Sequence, residues 1–382
     1  MMQSSDYSKK KRSITWVSAD YFVDTDFQPA VLSGLLQHFD IYWLILLPAQ
    51  HARYAEPDFE EIKKLPGLQV EFFYWTSKAR NPKMLLFYER VYQRIRSLNT
   101  DLVYFNDVPS SPYILPLYLR LNKRKTIVTA HDGNVKSSFK MPWLSKMVFK
   151  QAFGRMRYVH MFSASQAAIF KAGFKQARVF TIPLGLKDFG SSAVPKRQDE
   201  IIFLFFGSIH SNKNLGLLID AACNLYDKGV RGFKISIHGA CTDWAPYQAA
   251  IRHPSIFECD IRMHRNDEIP RLFAESHYAV FPYKDISQSG AIKVAFNYKL
   301  PVIVSDLEAF TDEVKEGING YIFESNNVQE LEQVMAERIR VHLQQYPVLL
   351  QNIAQYNQQH FAADALKDKY MEMFNAVLTA NK

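Results

Sequence analysis

The sequence predicts an α/β protein with two domains, each built on a parallel sheet. The chain has 382 residues, which is more than a single hydrophobic core usually organises. Short apolar runs alternate with segments of helical periodicity in both halves, as they do in βαβ units. Near the middle, a stretch that contains Gly190, two serines and Pro195 interrupts this alternation, as a linker would.

The domain limits follow from where the alternation stops and restarts. We expect a first domain at residues 1–185, a linker at 186–200 and a second domain at 201–361. The remaining segment, 362–382, has the pattern of an amphipathic helix. The predicted strands are 14–17, 41–47, 70–74, 102–105, 126–129, 158–163 and 179–182 in the first domain, and 201–206, 233–237, 278–281 and 301–304 in the second.

Positive charge is concentrated in the first domain. The formal net charge is +8, and residues 1–185 hold 26 Lys and Arg against 14 Asp and Glu, which leaves 20 against 24 of the totals of 46 and 38. Segment 133–187 has no acidic residue. This asymmetry predicts an anionic partner, either nucleic acid or an anionic membrane or lipid diphosphate. Nucleic acid is disfavoured because no recognised binding motif accompanies the charge.

The compartment is suggested by hydrophobic runs and cysteines. The apolar runs are much shorter than the roughly 20 residues of a membrane span, and no signal peptide is recognisable. Three cysteines lack C-x-x-C spacing, which is typical of free thiols in a reducing compartment. We therefore expect a cytoplasmic protein, with peripheral attachment to the inner face of the cell membrane as a further expectation.

Two loops of the second domain have the composition of a diphosphate site. Gln288-Ser289-Gly290 opens a predicted helix at 291–298 and would direct free backbone N–H groups at one point. After strand 201–206, Gly207 permits a tight turn and Lys213 could reach the same anion. Both loops follow strands, and ligands of open parallel sheets bind at the carboxyl ends of strands. The pattern predicts an anionic, nucleotide-linked ligand.

These loops, together with segments 270–273 and 313–320, resemble the donor-binding half of the family 4 (group 1) glycosyltransferases. The first half resembles that family more loosely. Family members have the GT-B fold, in which two Rossmann-like domains face each other across a cleft. The likeness is greatest to a subgroup with Q-S-G in place of the usual E-x7-E motif. It implies a last helix that crosses back to the first domain and metal-independent transfer of a hexose with retention of configuration.

The resemblance also assigns residues to the donor site, and the sequence departs from the family at three of the aligned positions. Ser208 stands where an arginine is usual, and Ile286 and Val294 stand where the two glutamates are usual. By resemblance, the donor diphosphate contacts Gly207, Ser208, Lys213, Ser289, Gly290 and Ala291, whereas Gln288, His210 and Tyr283 contact the sugar or the nucleotide.

A second candidate motif, His131-Asp132, follows the predicted strand 126–129. It resembles the H-D-P segment of the subgroup, in which the histidine faces the sugar, and it implies catalytic roles for His131 and Asp132. An imidazole in that place could bind the sugar or assist charge development. A turn in which Asp132 is a capping residue is the alternative.

Two aspartates after the first predicted strand, Asp24 and Asp26, are candidates for contacts to acceptor hydroxyls. They occupy the region where family members have a glycine-rich acceptor loop, which this chain lacks. They could equally cap a helix that begins near Pro29.

The segment without acidic residues contains a predicted helix at 143–157. On this helix one face would combine cations with aromatic rings, which suits an anionic membrane surface. A solvated basic face with some aromatic residues in the core is the alternative. The predicted membrane face consists of Trp143, Lys146, Phe149, Lys150, Phe153 and Arg157.

Histidines are scattered along the chain without metal-ligand spacing, so neither a metal nor a separate cofactor is expected. The donor implied by the resemblance is a UDP- or GDP-linked sugar. The acceptor is a saccharide or polyprenyl-diphosphate-linked saccharide of a surface polysaccharide, such as lipopolysaccharide or capsule. A catalytically inactive GT-B scaffold that binds a partner transferase or a glycan is the alternative function.

Overall fold

The computed structural model describes residues 11–19, 29–50, 52, 54–106, 111–135, 142–286 and 289–380. The chain forms two compact units. The first unit consists of residues 1–183 and 363–382, and the second consists of residues 184–362. The segment expected to be a linker, 186–200, is therefore part of the second unit.

A seven-stranded parallel sheet forms the centre of the first unit, with the strand order β3-β2-β1-β4-β5-β6-β7. The order reverses between β1 and β4, which creates a switch point at the carboxyl ends of these strands. The strands are β1 Arg12–Ala19, β2 Phe39–Pro48, β3 Leu68–Trp75, β4 Leu102–Asn106, β5 Thr126–Thr129, β6 Tyr158–Met161 and β7 Arg178–Thr181.

Helices cover both faces of this sheet, so most strand residues are buried, as expected for a parallel sheet. The helices between the strands are α1 Pro29–Leu36, α2 Lys83–Leu98, α3 Leu115–Arg120, α4 Pro142–Phe153 and α5 Ala164–Gly173.

The second unit contains a six-stranded parallel sheet with the order β10-β9-β8-β11-β12-β13. Its switch point lies between β8 and β11. The strands are β8 Ile201–Phe206, β9 Phe233–His238, β10 Phe257–Asp260, β11 Tyr278–Phe281, β12 Val302–Ser305 and β13 Gly320–Phe323. The helices are α6 Leu215–Asp227, α7 Ala245–Ala250, α8 Ile269–Glu275, α9 Gly290–Asn297, α10 Glu308–Thr311 and α11 Val328–His360.

The last helix, α12 (Ala363–Thr379), packs on the first unit. Its Phe374 ring lies 5.9 Å from the ring of Trp16 on β1 and 5.8 Å from that of Tyr104 on β4, measured between centroids. All three side chains are almost fully buried. The predicted α/β class is confirmed, and two strands, β10 and β13, were not predicted. None of the described helices is both long and apolar enough to span a membrane.

Candidate active site

Two glycines bring the loops after β8 and β9 into close contact. Gly207 has φ +121° and Gly239 has φ +155°, values that L-residues with side chains rarely adopt. A Cβ atom on Gly239 would lie only 2.0 Å from the carbonyl oxygen of Gly207. The backbone after β8 therefore turns tightly at the carboxyl edge of the sheet, as the G-S-I-H-S-N-K segment predicts.

Lys213 lies over an aromatic ring at the end of β11. It ends a short 3₁₀ turn, Ser211–Lys213, and its Nζ lies 3.7 Å from the centroid of the Tyr283 ring. Burial raises the pKa of the Tyr283 phenol, which keeps this ring neutral. The contact fixes the direction of a long, otherwise adaptable side chain.

Hydrogen bonds join the loops that follow β8 and β11. The Lys284 N–H donates to the Asn212 carbonyl (3.0 Å), and the Asn212 side-chain amide donates to the Asp285 carbonyl (3.1 Å). The cation at Lys213 is thereby held at the switch point of the second sheet. By contrast, Ser208 and His210 are exposed.

Helix α9 begins next to this loop. Its N-cap residue, Ser289, is extended and does not cap the helix with its side chain, and the first turn contains no acidic residue. The first N–H groups of a helix lack intrahelical partners and carry the positive end of the dipole. Ser289 is also close to the Tyr283 hydroxyl, as its influence on the pKa of that phenol indicates. Lys213, Tyr283 and the start of α9 therefore lie together.

A second lysine, Lys187, lies at the same helix start and was missed from the sequence. Its Nζ is 3.4 Å from the position that a Cβ of Gly290 would occupy. Its backbone N–H points to the Lys293 carbonyl at 3.4 Å. Lys187 falls in the segment interpreted as a linker, and no local spacing connects it with Gly290. Only the fold brings the two together.

The segment after Lys187 is attached to the far end of α9. The Tyr298 hydroxyl accepts a hydrogen bond from the Phe189 N–H (3.1 Å) and donates one to the Gly190 carbonyl (3.0 Å). Asn297 donates to the Asp188 carboxylate at 3.2 Å. These bonds hold the Lys187 backbone alongside the helix. They therefore limit the positions that its ammonium group can reach.

The two positions that carry glutamates in the family are occupied here by apolar residues that pack in or against the core. Val294 is buried in the core of the second unit and Ile286 is partly buried against that core. The fully buried Lys293 pairs with Glu313 at 2.6 Å and lies 3.9 Å from the Phe361 ring centroid. This lysine therefore stabilises the packing of α9, because a buried charge needs a partner.

His131 follows β5 in the first unit. Its Nε2 lies 3.2 Å from Asn106 Oδ1, which also accepts a hydrogen bond from the Thr129 hydroxyl at 2.7 Å. Because an amide oxygen only accepts, His131 Nε2 carries the hydrogen, and in the neutral imidazole Nδ1 is then the acceptor nitrogen. The imidazole also packs on Phe162, with 4.7 Å between ring centroids. The side chain is oriented and half-buried, with one nitrogen able to accept a proton.

Asp132 and Gly133 complete this turn. No described helix begins at Asp132, and its buried Oδ1 has no hydrogen-bond partner among the described residues. Gly133 lies so close to α5 that a Cβ would be 2.4 Å from the Gln166 carbonyl oxygen. The turn is therefore not a helix cap, which leaves the catalytic prediction for Asp132 open.

The predicted membrane face is wrong as a single surface. Helix α4 ends at Phe153, so Arg157 lies beyond it. Phe153 is 1% exposed, and its ring centroid is 5.5 Å from that of Phe170. Phe149 also packs against the hydrophobic core that contains Phe153 and Phe170.

The aromatic residues turn inward because Phe170 on α5 and Phe174 just after it pack against them. The residues of the predicted face that remain exposed are Trp143, Lys146 and Lys150 on the helix, with Arg157 after it. Lys146 and Lys150 border an apolar cavity of about 540 Å³.

Three predicted site residues, Asp24, Asp26 and Gln288, lie outside the described residues. Their assigned contacts to acceptor and donor stay predictions.

Comparisons with known proteins identify a similar family for part of the second unit. Residues 200–340 match the family model described as "Glycosyl transferases group 1". That segment contains Gly207, Lys213 and the start of α9. No curated protein sequence matches the chain significantly.

Solved structures with the same fold are distant in sequence. A glycosyltransferase from Rickettsia africae has a TM-score of 0.72 at 13% identity, covering 97% of this chain and 99% of the other. Sucrose-phosphate synthase from Thermosynechococcus elongatus has a TM-score of 0.70 at 12% identity, covering 97% and 100%. Anabaena HepE, solved with UDP and glucose, has a TM-score of 0.68 at 14% identity, covering 96% and 100%.

The fold is that of the GT-B glycosyltransferases, and the predicted fold class is confirmed at this level. Residues 200–340 are similar to the group 1 glycosyltransferase family. At 12–14% identity, the structural likeness establishes the fold alone.

Proposed function

We propose that this protein is a retaining, metal-independent glycosyltransferase that moves a hexose from a UDP- or GDP-linked sugar to a saccharide acceptor. The observation that carries the proposal is the meeting of two lysines with a helix start in a group 1 glycosyltransferase domain. Lys187 Nζ lies at the first turn of α9, and Lys213 Nζ lies on the ring of Tyr283, whose hydroxyl is close to the N-cap residue Ser289. HepE, which has the same fold, was solved with UDP and glucose, and this supports a nucleotide-sugar donor here.

The chemistry explains why cations belong at that point. As the glycosidic bond breaks, the transition state resembles an oxocarbenium ion and the leaving diphosphate gains negative charge. Donors and charges already fixed in place stabilise that charge without reorganising. The N–H groups of Ser289, Gly290 and Ala291 would bind phosphate oxygens, together with the two ammonium groups. Two lysines and a helix dipole supply the positive charge that a metal ion would otherwise supply.

Lys187 would also compensate for the missing arginine. The family clamp pairs an arginine with a lysine, and here Ser208 replaces the arginine. A lysine that reaches the site from another segment restores two positive charges. Because an ammonium group is a point charge rather than a planar fork, the clamp would hold the diphosphate with less orientation specificity than arginine gives.

We further propose that His131 and Asp132 act on the transferred sugar, with His131 Nδ1 as the accepting nitrogen. The oriented tautomer of His131 supports this role, since its Nε2 hydrogen is committed to Asn106. Asp24 and Asp26 are proposed as acceptor contacts, and Gln288 as a contact to the donor sugar.

The acceptor is proposed to be a lipid-linked saccharide used in surface polysaccharide biosynthesis. The support is the basic first domain, together with the exposed Trp143, Lys146 and Lys150, which would attract an anionic membrane. A cytoplasmic location at the inner face of the membrane follows from this proposal.

A non-catalytic scaffold is the second candidate. It is favoured by Ser208 and by the buried Val294, since the family uses an arginine and a glutamate at these positions. Isothermal titration with UDP, GDP and ADP, followed by donor hydrolysis assays with the corresponding sugars, tests both candidates. Diphosphate binding with donor turnover supports the transferase. Binding without any turnover across a broad donor panel would favour the scaffold, and no binding of any diphosphate would refute the transferase.

A further inference from the structure

A cluster of three potential metal ligands lies at the outer side of the second sheet. His238 is the last residue of β9 and Asp260 is the last residue of β10, and the two are direct neighbours in the parallel register. His264 follows in the loop after β10. The three residues offer two imidazole nitrogens and a carboxylate oxygen, all within 4.8 Å of one another.

Each imidazole is oriented by a hydrogen bond at Nε2. His264 Nε2 lies 3.4 Å from the Asp260 carbonyl oxygen, so it is the nitrogen that carries the hydrogen. His238 Nε2 lies 2.8 Å from the Ser236 hydroxyl, which can accept its hydrogen. With the Ser236 hydroxyl as the acceptor, both Nδ1 atoms keep the lone pair, which is the form of imidazole that binds metals.

The Nδ1 atoms of His238 and His264 are both buried, and neither has a hydrogen-bond partner among the described residues. The two rings are 5.0 Å apart between centroids and nearly perpendicular, at 62°. Buried polar atoms in folded proteins nearly always have a partner, so two unpaired acceptors so close together indicate a missing ligand.

The carboxylate of the cluster is supported in the manner of a metal ligand. Arg262 donates to both Asp260 oxygens, at 3.0 and 3.1 Å, and to both oxygens of Glu268, at 2.9 and 2.7 Å. Glu268 thus balances the positive charge of Arg262, and Asp260 remains a net anionic group. Hydrogen-bonded carboxylates of this kind are typical around metal centres.

We propose that His238, Asp260 and His264 bind a divalent transition-metal ion, with Zn²⁺ as the ion whose ligand preferences fit. Two imidazoles and one carboxylate are a common zinc set, whereas Mg²⁺ and Ca²⁺ prefer oxygen ligands. A tetrahedral ion about 2.1 Å from each ligand holds the ligand atoms about 3.4 Å apart. Atoms that lie up to 4.8 Å apart therefore have to close by up to about 1.4 Å when the ion binds. The adjoining cavity of about 530 Å³ gives access and room for water ligands.

The site is separate from the proposed diphosphate site. The metal ligands come from β9, β10 and the loop after β10, whereas the diphosphate loops follow β8 and β11, the two strands that flank the switch point. The ion would tie the edge strand β10 to β9. It is therefore expected to stabilise the second unit and not to be required for nucleotide binding.

The test uses full-length, tag-free protein stripped with a chelator and then desalted. Zn²⁺ affinity is measured by competition with a chromophoric chelator, and Co²⁺ is added to look for visible d–d absorption. The variants are His264→Ala and the isosteric Asp260→Asn. The control is His342→Ala. The rings of His342 and His277 also lie 5.0 Å apart between centroids, but His277 Nδ1 already accepts a hydrogen bond from the Ile202 N–H (3.0 Å), so this pair is not expected to bind a metal.

We expect one Zn²⁺ per chain and a rise in Tm on its addition. We also expect Zn²⁺ affinity to fall at least tenfold to a hundredfold in each cluster variant, with the His342→Ala variant unchanged. Absence of stoichiometric binding by the wild type, or equal affinity in wild type and Asp260→Asn, would overturn the proposal. Asp260→Asn decides the matter if His264→Ala does not fold. UDP titrations of the same samples report on the proposed function separately, since the two sites share no residue.

Discussion

Replacing Lys187 with alanine should weaken the binding of every nucleoside diphosphate by a similar factor. Lys187 Nζ lies at the first turn of α9, where the diphosphate is proposed to bind. Loss of one charge-assisted contact costs about 1.5–3 kcal/mol, which corresponds to a roughly ten- to hundredfold increase in Kd. The change should be equal for UDP, GDP and ADP, because the lysine would contact phosphate and not the base.

Isothermal titration of UDP into wild type, Lys187→Ala and Lys213→Ala measures these losses directly. Lys315→Ala is the matched control, since Lys315 is an exposed lysine of the same unit on the loop after α10. A further variant, Lys187→Arg, keeps the charge and should recover most of the affinity.

The variant that combines Lys187→Ala with Lys213→Ala tests whether the two lysines bind the same diphosphate. If both ammonium groups contact one diphosphate, the two losses should not be additive, because neighbouring groups that share a ligand are energetically coupled. Raising the salt concentration should also reduce wild-type affinity more than that of the double variant. The reasoning is refuted if Lys187→Ala binds UDP within about twofold of wild type while Lys213→Ala loses tenfold or more.

Three further outcomes are expected. His131→Ala should reduce transfer and donor hydrolysis by about a hundredfold or more and leave the Kd for UDP within about threefold; a matching loss of UDP affinity would place this imidazole in ground-state binding instead. Changing both Lys146 and Lys150 to Glu should abolish sedimentation with anionic vesicles at low salt, since each lysine near such a surface contributes about 1 kcal/mol; equal sedimentation with neutral vesicles would argue against an electrostatic origin. Burial lowers the pKa of His160 to about 4, so its contribution to stability is complete above about pH 6.5 and is lost as the pH falls towards 4, by up to about 3 kcal/mol. Urea unfolding at pH 7 and pH 4.5 measures this loss, and a His160→Gln variant with the same pH dependence would show that other groups are responsible.

Much of the fold could be predicted because buried parallel strands are continuous apolar runs. Strands such as β8 and β12 are enclosed on both faces, so their sequences carry the signal directly. The edge strand β10 reads F-E-C-D and is only half-buried. Its pattern resembles a loop, and only the pairing with β9 identifies it.

The site was predictable where a motif is local and not where it depends on tertiary contacts. Gly207, Lys213 and Ser289-Gly290 lie in short loops that follow strands, so spacing alone indicated them. Lys187 is far from these residues in sequence. Phe149 was placed on the wrong face because helical periodicity gives the sides of a helix but not which side meets the core.

The route of the chain between the two units has a consequence for synthesis. Residues 184–362 form the second unit as one uninterrupted segment, while the first unit needs residues from both ends of the chain. All residues of the second unit are synthesised before α12, and domains generally fold as units.

Until Phe374 arrives, the rings of Trp16 and Tyr104 lack the aromatic partner that packs on them in the finished molecule. The first unit, whose synthesis begins first, is therefore the last to acquire all of its residues. A released chain that is truncated after residue 362 should contain a folded, protease-resistant second unit beside an incomplete first unit. The last helix, seventeen residues long, therefore completes the native structure.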